Sequence, residues 1–504
     1  MFPDWICSGI MLYYRKLKYK ESLSMKTFCN PLPLPDYPIG LYARNGQTAG
    51  WLNNEEPCSF RETADPSVIF EDGKWYLYAS CGKMWFSDDL VKWTVVELPE
   101  LDYAPCAVKH NGKYYLTASN SPLYVSDTPT GPWEKLGFMR DLDGKPYPGN
   151  MWDPMLFSDT DGRLYLYWGC GGAGIFAAEL DPENPLKAVS PVKYLFTFNP
   201  DHEWERTGDF NEDTSCSFVE GSNMFKYGGR YYLTYGAPGT QYITYATGCY
   251  VSESPMGPFR YQKNNPVQVG KKGLVRGCGH SCVVGGPNGS ILNFYTAVAC
   301  RNHYFERRIG CDVGWIDAEG ELHFQDASEI PQILPGENPH PEKGNSAGLL
   351  PVSNSKFARA SSQLPARGTS CAIDGYIRTW WEAAPEDKTP WFEINLGSLF
   401  DVSAVRIIWA EPNMDHKTLP PGPWQYVLEG KAQKDDPWET LVDASANQTD
   451  LLIDYRTFGT KRIRFARLRV LGGPAGMAVG LTDLTLFGKG TPIPPEAPYG
   501  KWNR

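Results

Sequence analysis

The sequence predicts an all-β chain, a five-bladed β-propeller followed by a β-sandwich of the jelly-roll type, and three observations carry that prediction. A turn containing Gly is followed at once by an aromatic strand five times over roughly residues 30–330. An ionisable position recurs at a nearly fixed distance before those turns. Beyond a Pro- and Gly-rich stretch, a second series of segments alternates with the period of strands.

The five repeats centre on Gly73 in EDGKWYLYAS, Gly112 in HNGKYYLTAS, Gly162 in TDGRLYLYWG, Gly229 in YGGRYYLTYG and Gly289 in PNGSILNFYT. Asp-Gly, Asn-Gly and Gly-Gly suit type I′ hairpin turns, whose two central residues both need positive φ. The flanking runs are apolar or alternating over about 4–8 residues, which is strand length. Further strands ending in exposed turns follow most copies, as in MWFSDDLVKW, LYVSDTPTGPWEKL and CYVSESPMGPFRY. Each repeat therefore supplies about four short antiparallel strands, and five such units around an axis make a propeller.

The strand before each turn is expected to be the innermost of its blade, lining the central channel. Asp65 stands eight residues before Gly73, and Asp153, Glu220 and His280 stand nine before Gly162, Gly229 and Gly289. In the second repeat this register falls on Ala104 and Pro105. Three carboxyl groups from three blades thus point at one level of one axis. Hydrolysis of a glycosidic bond needs two: one protonates the leaving oxygen, and the other activates a water or attacks the sugar. A third nearby raises the acid's pKa by like-charge repulsion. His280 is either a satisfied core histidine or a channel group that meets the sugar or, through water, a bound ion.

The segments TADPSVIFEDGKWYLYAS, MWDPMLFSDTDGRLYLYWG and VEGSNMFKYGGRYYLTYG, with GHSCVVGGPNG downstream, resemble in order and spacing the motifs of glycoside hydrolase family 43. The resemblance covers about the first 320 residues. It implies an inverting, exo-acting hydrolase that removes terminal arabinofuranose or xylose. Asp65 would be the general base, Asp153 the pKa modulator and orienting group, and Glu220 the general acid. It also implies an Arg in the fifth blade that meets substrate or modulator. Arg308 in RRIGCDVGW matches best, with Arg307 and Arg301 as rivals. A structural calcium ion or a water cluster in the channel near His280 is implied too, with no cofactor required for the chemistry. Trp85, Tyr103 and Trp152 are candidates to stack on the terminal sugar or, alternatively, to pack between blades. Cys106 in YAPCAV departs from the acidic or larger polar residue of many relatives.

Other readings exist. Galactan- or galactofuranose-directed exo-hydrolysis is the alternative substrate class, and a non-catalytic sugar-binding propeller the alternative function. A lectin would repeat one binding motif per blade, whereas these hub residues differ. A retaining fructosidase-like propeller would carry a WMNDPNG-like first strand and an EC dipeptide at the acid, and neither occurs.

Residues 326–348, DASEIPQILPGENPHPEKGNSAG, have the composition of a linker or strap. Beyond them ARASSQ, AIDGYIRTWWEA, WFEINLGSLFDVSAVRIIW and RIRFARLRVLG resemble the discoidin-like (coagulation factor 5/8 type C) jelly roll. That implies a carbohydrate-binding module or a buttress for the propeller, with Trp380 and Trp381 in its core. The expected division is an N-terminal extension over 1–29, the propeller over 30–325, a linker over 326–349, the sandwich over 350–490 and a tail over 491–504.

The formal charge of −10 is spread along the 504 residues without a Lys/Arg cluster, which argues against nucleic acid and anionic membranes as partners. Oligosaccharides or plant and algal polysaccharide fragments are the expected partners, by resemblance. The N-terminal segment lacks the order of a signal peptide, Met25 is a candidate start, and no run approaches a membrane span. Thirteen cysteines show no CxxC pair. Cys81, Cys106, Cys170 and Cys311 are expected as small buried hydrophobes, and an odd set of free thiols suits a cytoplasmic location.

Overall fold

The computed structural model of the chain describes residues 26–46, 59–270 and 273–490. Most of the expected N-terminal extension and the tail over 491–504 lie outside the described residues. Five antiparallel sheets make five blades, I to V, each built from consecutive strands. The first strands are Ser67–Glu71, Cys106–His110, Met155–Ser158, Glu220–Tyr227 and Gly279–Gly285. Each neighbours the next, and the fifth neighbours the first, so they form the closed inner ring that the register implied.

The hairpin turns divide into two kinds. Asp72–Gly73, Asn111–Gly112 and Gly228–Gly229 are two-residue turns with positive φ at both positions, closed by the pairs Glu71↔Lys74, His110↔Lys113 and Tyr227↔Arg230. These are the expected type I′ geometry. In blades III and V the loops are longer, closed by Asp159 N–H to Arg163 O and by Gly286 N–H to Ser290 O. There the extra residue carries the chain into a left-handed Gly162 or Gly289, so a DG or NG dipeptide alone did not fix the loop length.

Alternation along the second strand of each blade packs one face against each neighbour. In blade III, Leu164, Leu166 and Trp168 pack with Cys106, Tyr115 and Leu123 of blade II. Tyr165 and Tyr167 pack with Tyr231 and Leu233 of blade IV. Where blade V meets blade I, Leu292 and Phe294 pack with Trp75, Leu77 and Ala79. No strand is shared across this seam. Its apolar core instead continues through Phe28, Leu32 and Leu34 into the sandwich residues Trp381, Phe392 and Trp409.

The sandwich is an eight-stranded sheet dominated by two long paired strands, Trp391–Trp409 and Ile453–Gly472. Their register shifts between Asn395 and Phe400 and again between Val402 and Ala404. Such bulges bend a strand. Trp381 is fully buried, as expected, but Trp380 is half-buried between the guanidinium groups of Arg367 and Arg301.

Two segments expected to lie outside the domains are built into the body. Thr27–Phe28 pairs with Gln332–Ile333, and Thr27 Oγ1 lies 2.6 Å from the Tyr455 hydroxyl of the sandwich. The expected linker is a strap held to blade V, with Gln332 Nε2 donating to Cys311 O and to Asp312 Oδ1. Among the described residues no helix is long and apolar enough to cross a membrane.

Candidate active site

The hub positions share a backbone conformation that their sequence spacing does not announce. Asp65, Ala104, Asp153 and His280 have φ of 55°, 57°, 50° and 38°, and Gly221, just after Glu220, has 60°. Non-Gly residues adopt this region rarely and hold it only when their surroundings enforce it. The enforcement comes from the preceding blade. Asp65 N–H donates to Thr296 Oγ1, Ala104 N–H to Ser80 Oγ and Asp153 N–H to Ser119 Oγ, each at 2.9 Å. Ser80, Ser119 and Thr296 all stand seven residues after their turn Gly. Blades III and IV have Gly169 and Gly236 there, and a Cβ on Gly236 would lie 2.6 Å from His280 N. Close backbone approach replaces the hydroxyl latch in that blade. The latch residues were visible in the repeats but carried no recognised chemistry.

Asp65, Asp153 and Glu220 converge on one cavity of about 620 Å³, which also takes in Tyr103, Trp152, Cys170, His280 and Arg307. Asp65 is 4% exposed. Its Oδ1 accepts from Arg307 Nη1 at 3.0 Å, and its Oδ2 accepts from Ser80 Oγ at 2.5 Å. Burial pushes its pKa up, but Arg307, His280 and Ser80 outweigh burial and hold it below the usual carboxylate range. Arg307 is itself held by Glu62, whose Oε1 accepts from its Nε at 3.1 Å and Nη2 at 2.6 Å.

Glu220 sits in the opposite environment. Its Oε1 accepts from the Tyr245 hydroxyl at 2.7 Å and its Oε2 from the Cys170 thiol at 3.1 Å, both neutral donors. Burial raises its pKa, and these two hydrogen bonds offset the rise only in part. Asp153 lies between the two. Its Oδ2 is 3.6 Å from His280 Nδ1, which is 3.3 Å from Asp65 Oδ1. Burial, with the nearby Glu220 and Asp65 charges, pushes Asp153 up to about 7 against the pull of His280.

The structure therefore brings Asp65, Asp153, Glu220, Tyr103, Trp152 and His280 to one cavity. Two expectations are corrected. Arg307, not Arg308, faces the site: successive side chains on an extended strand point to opposite faces, and Arg308 donates instead to Arg61 O, Arg307 O and Glu306 Oε1. Trp85 is fully buried in the core with its Nε1 donating to Pro35 O, so it packs rather than stacks on sugar. Cys81, Cys106 and Cys311 are buried as expected, whereas Cys170 lines the cavity. Cys170, Glu62 and Tyr245 were missed because their roles depend on contacts between segments distant in sequence.

A calcium ion takes six to eight oxygen ligands. His280 offers nitrogen, and the polar side chains next along the inner strands already serve neighbouring blades. Ser67 Oγ accepts from Ala107 N–H, Cys106 Sγ from Leu156 N–H, Asn223 Oδ1 from Val283 N–H and Cys282 Sγ from Val68 N–H. That donor set does not fit the oxygen cage of calcium. Among the described residues, the potential ligand atoms that cluster within 4.8 Å are those of Asp153, Cys170 and Glu220, without His280.

A beta-xylosidase of Xylanibacter ruminicola is 29% identical over 214 residues, 36% of this chain and 61% of that protein. The xylosidase/arabinosidase 43A of Humicola insolens is 29% identical over 270 residues, 40% of this chain and 78% of that protein. The chain thus spans about three fifths of the first relative's length. A solved glycoside hydrolase structure covers 84% of this chain and 97% of its own, at 21% identity and a TM-score of 0.48. The family model described as NedA-like, galactose-binding domain matches residues 371–468, within the discoidin-like sandwich. The model of glycosyl hydrolases family 43 matches residues 55–313, the span of all five blades up to the strand that carries Arg307, and the chain belongs to that family.

Proposed function

We propose that the chain hydrolyses terminal arabinofuranosyl or xylosyl linkages of oligosaccharides with inversion at the anomeric carbon. One observation carries the reading: two carboxyl groups of a single cavity have opposite partners. Asp65 bonds a guanidinium that holds its pKa down, while Glu220 takes its hydrogen bonds from a phenol and a thiol and burial raises its pKa. Paired groups whose environments push their pKa values apart take the base and acid roles. Asp65 accepts the proton of the attacking water, and Glu220 gives its proton to the leaving oxygen. Asp153 stands beside Glu220, whose charge helps to raise its pKa, and, through His280, helps to position Asp65. Trp152 and Tyr103 line the cavity and offer aromatic surface to a terminal sugar. The sugar preference follows the relatives named as beta-xylosidase and xylosidase/arabinosidase.

The test is hydrolysis of nitrophenyl α-L-arabinofuranoside, β-D-xyloside, β-D-galactofuranoside and β-D-galactopyranoside, with the product anomer read by proton NMR. Release of arabinose or xylose in the inverted configuration is expected. Asp65→Asn should lose about 10²- to 10⁴-fold in rate, the usual worth of a general base, and remain folded by circular dichroism. Cleavage of a galactoside alone would move the reading to the galactose-directed class. A retained anomer would overturn the role given to Asp65.

A further inference from the structure

A second cavity, of about 530 Å³, lies beside the catalytic one and shares Gln241 with it. Its walls come from two propeller loops and from the sandwich, which contributes Arg378. We propose that this cavity binds the leaving-group end of an oligosaccharide, so that propeller and sandwich jointly read the glycan beyond the bond being cut. The proposal rests on the hydrolase reading above.

Position commits the occupant. A general acid protonates the leaving oxygen, so the leaving group lies on the side of Glu220. The Glu220 carboxyl is bonded by Tyr245, and the turn that ends at Tyr245 carries Gln241 and Tyr242. Gln241 therefore borders both cavities within a few residues of the acid's own partner. The turn is fixed to the loop at 208–212, with Ile243 N–H donating to Asp209 Oδ1 at 3.0 Å and Thr244 Oγ1 to Gly208 O at 2.8 Å.

Chemistry fits the same occupant. Phe210 is 88% exposed at the wall of this cavity, and Tyr242 stands with it. Aromatic faces with a few placed polar groups are the usual lining of small-molecule sites. Arg378 uses its Nε on Ala299 O at 3.2 Å, and among the described residues its two Nη groups make no hydrogen bond within the protein. A half-buried guanidinium with four free N–H donors aimed at a cavity suits sugar hydroxyls.

The experiment compares kcat/KM for xylotriose and α-1,5-arabinotriose with that for the matching nitrophenyl monosaccharide, in wild type, Arg378→Ala and Phe210→Ala. Each variant is expected to lose about tenfold more on the trisaccharide than on the nitrophenyl substrate, the worth of one hydrogen bond or stacking contact. Phe210 is so exposed that its variant keeps the fold even if Arg378→Ala does not. Equal losses on both substrates, or no loss, would overturn the subsite. If wild type cleaves no glycoside, the hydrolase reading falls, and calorimetric binding of the same trisaccharides decides the subsite. Binding weakened by both variants would then keep the cavity as a glycan site but overturn its leaving-group role, and the absence of binding, or binding indifferent to them, removes it.

Discussion

Two clusters of buried charge, at the hub of the propeller and at its junction with the sandwich, are composed in opposite ways. At the hub, Glu62, Asp65, Asp153 and Glu220 share one guanidinium, Arg307, and one imidazole, His280. At the junction each carboxylate bonds a guanidinium directly. Arg61 bonds Glu411 and Asp450 at 3.3 and 2.7 Å, and Arg406 bonds Asp483 at 3.0 Å. Arg406 also donates to the carbonyls of Asn30 and Glu329, tying the sandwich to the N-terminal segment and the strap. The two clusters share a wall. Arg61 and Glu62 are neighbours, as are Arg307 and Arg308, and in each pair one side chain bonds within the hub cluster and the other turns toward the junction.

The contrast teaches how buried charge divides between structure and chemistry. Burial raises Glu411 to about 7 as it does Glu62 and Asp153, so a raised pKa alone does not mark a site. What marks the hub is an excess of carboxyls over cations on a cavity that a substrate can enter. At the junction every carboxylate bonds a guanidinium and none of them lines that cavity, which makes it a clamp. It also covers the seam between blades V and I, where no strand is shared.

The largest expected effect breaks the clamp. Arg406→Met leaves Asp483, 1% exposed, without its cation and two buried carbonyls without their donor. Removing one partner of a buried pair costs about 3–5 kcal/mol, read by urea unfolding. The sandwich and propeller transitions should separate, because Arg406 ties the sandwich to the N-terminal segment and the strap. A loss below about 1 kcal/mol, the worth of an exposed pair, would mean that the domains merely touch.

A smaller effect, of opposite sign, belongs to the hub. The pKa of Asp153 is raised to about 7 in the folded chain from an ordinary value near 4. A carboxyl raised on folding contributes fully to stability below its unfolded pKa, and the contribution is lost as pH rises through the folded one. Between pH 4 and 8, therefore, wild type should lose stability that Asp153→Asn keeps, so the melting temperature of the variant should gain on wild type as pH rises. A gap that is constant with pH would show that Asp153 is not held protonated by its surroundings. The same variant should lose turnover, separating the cost of the hub from its use.

Much of this was legible in the sequence because repeats average out local ambiguity. The five turn glycines marked the blades, and counting back from them found the inner-strand positions Asp65, Asp153, Glu220 and His280, together with Ala104, whose φ of 57° marks it as one of the set without any chemistry to advertise. Arg307 and Arg308 could not be separated that way, since either register of a buried strand places one Arg inward. Trp85 looked like a sugar platform because burial of an aromatic strand residue depends on which neighbour packs over it. Cys170 was read as a core thiol because only the fold brings it to Glu220, fifty residues on in the chain.

Cys170 also offers the finest test of the contrast. Its thiol and the Tyr245 hydroxyl are the two donors on the Glu220 carboxyl, and both act against burial by favouring the ionised form. Cys170→Ala removes one donor, so the Glu220 pKa should rise and the alkaline limb of the pH dependence of kcat/KM should move up. Tyr245→Phe should move it further the same way, since its hydrogen bond is the stronger of the two influences. The junction supplies the control. Thr485 Oγ1 donates to Asp483 Oδ1 at 2.8 Å, away from any cavity, so Thr485→Val should lower stability by about 1 kcal/mol and leave the pH dependence where it was. An alkaline limb unmoved, or moved down, in Cys170→Ala would mean that the thiol does not bond the acid in the working enzyme. A limb that moved in Thr485→Val would mean that the clamp reaches the chemistry, and the division between the two clusters would have to be redrawn.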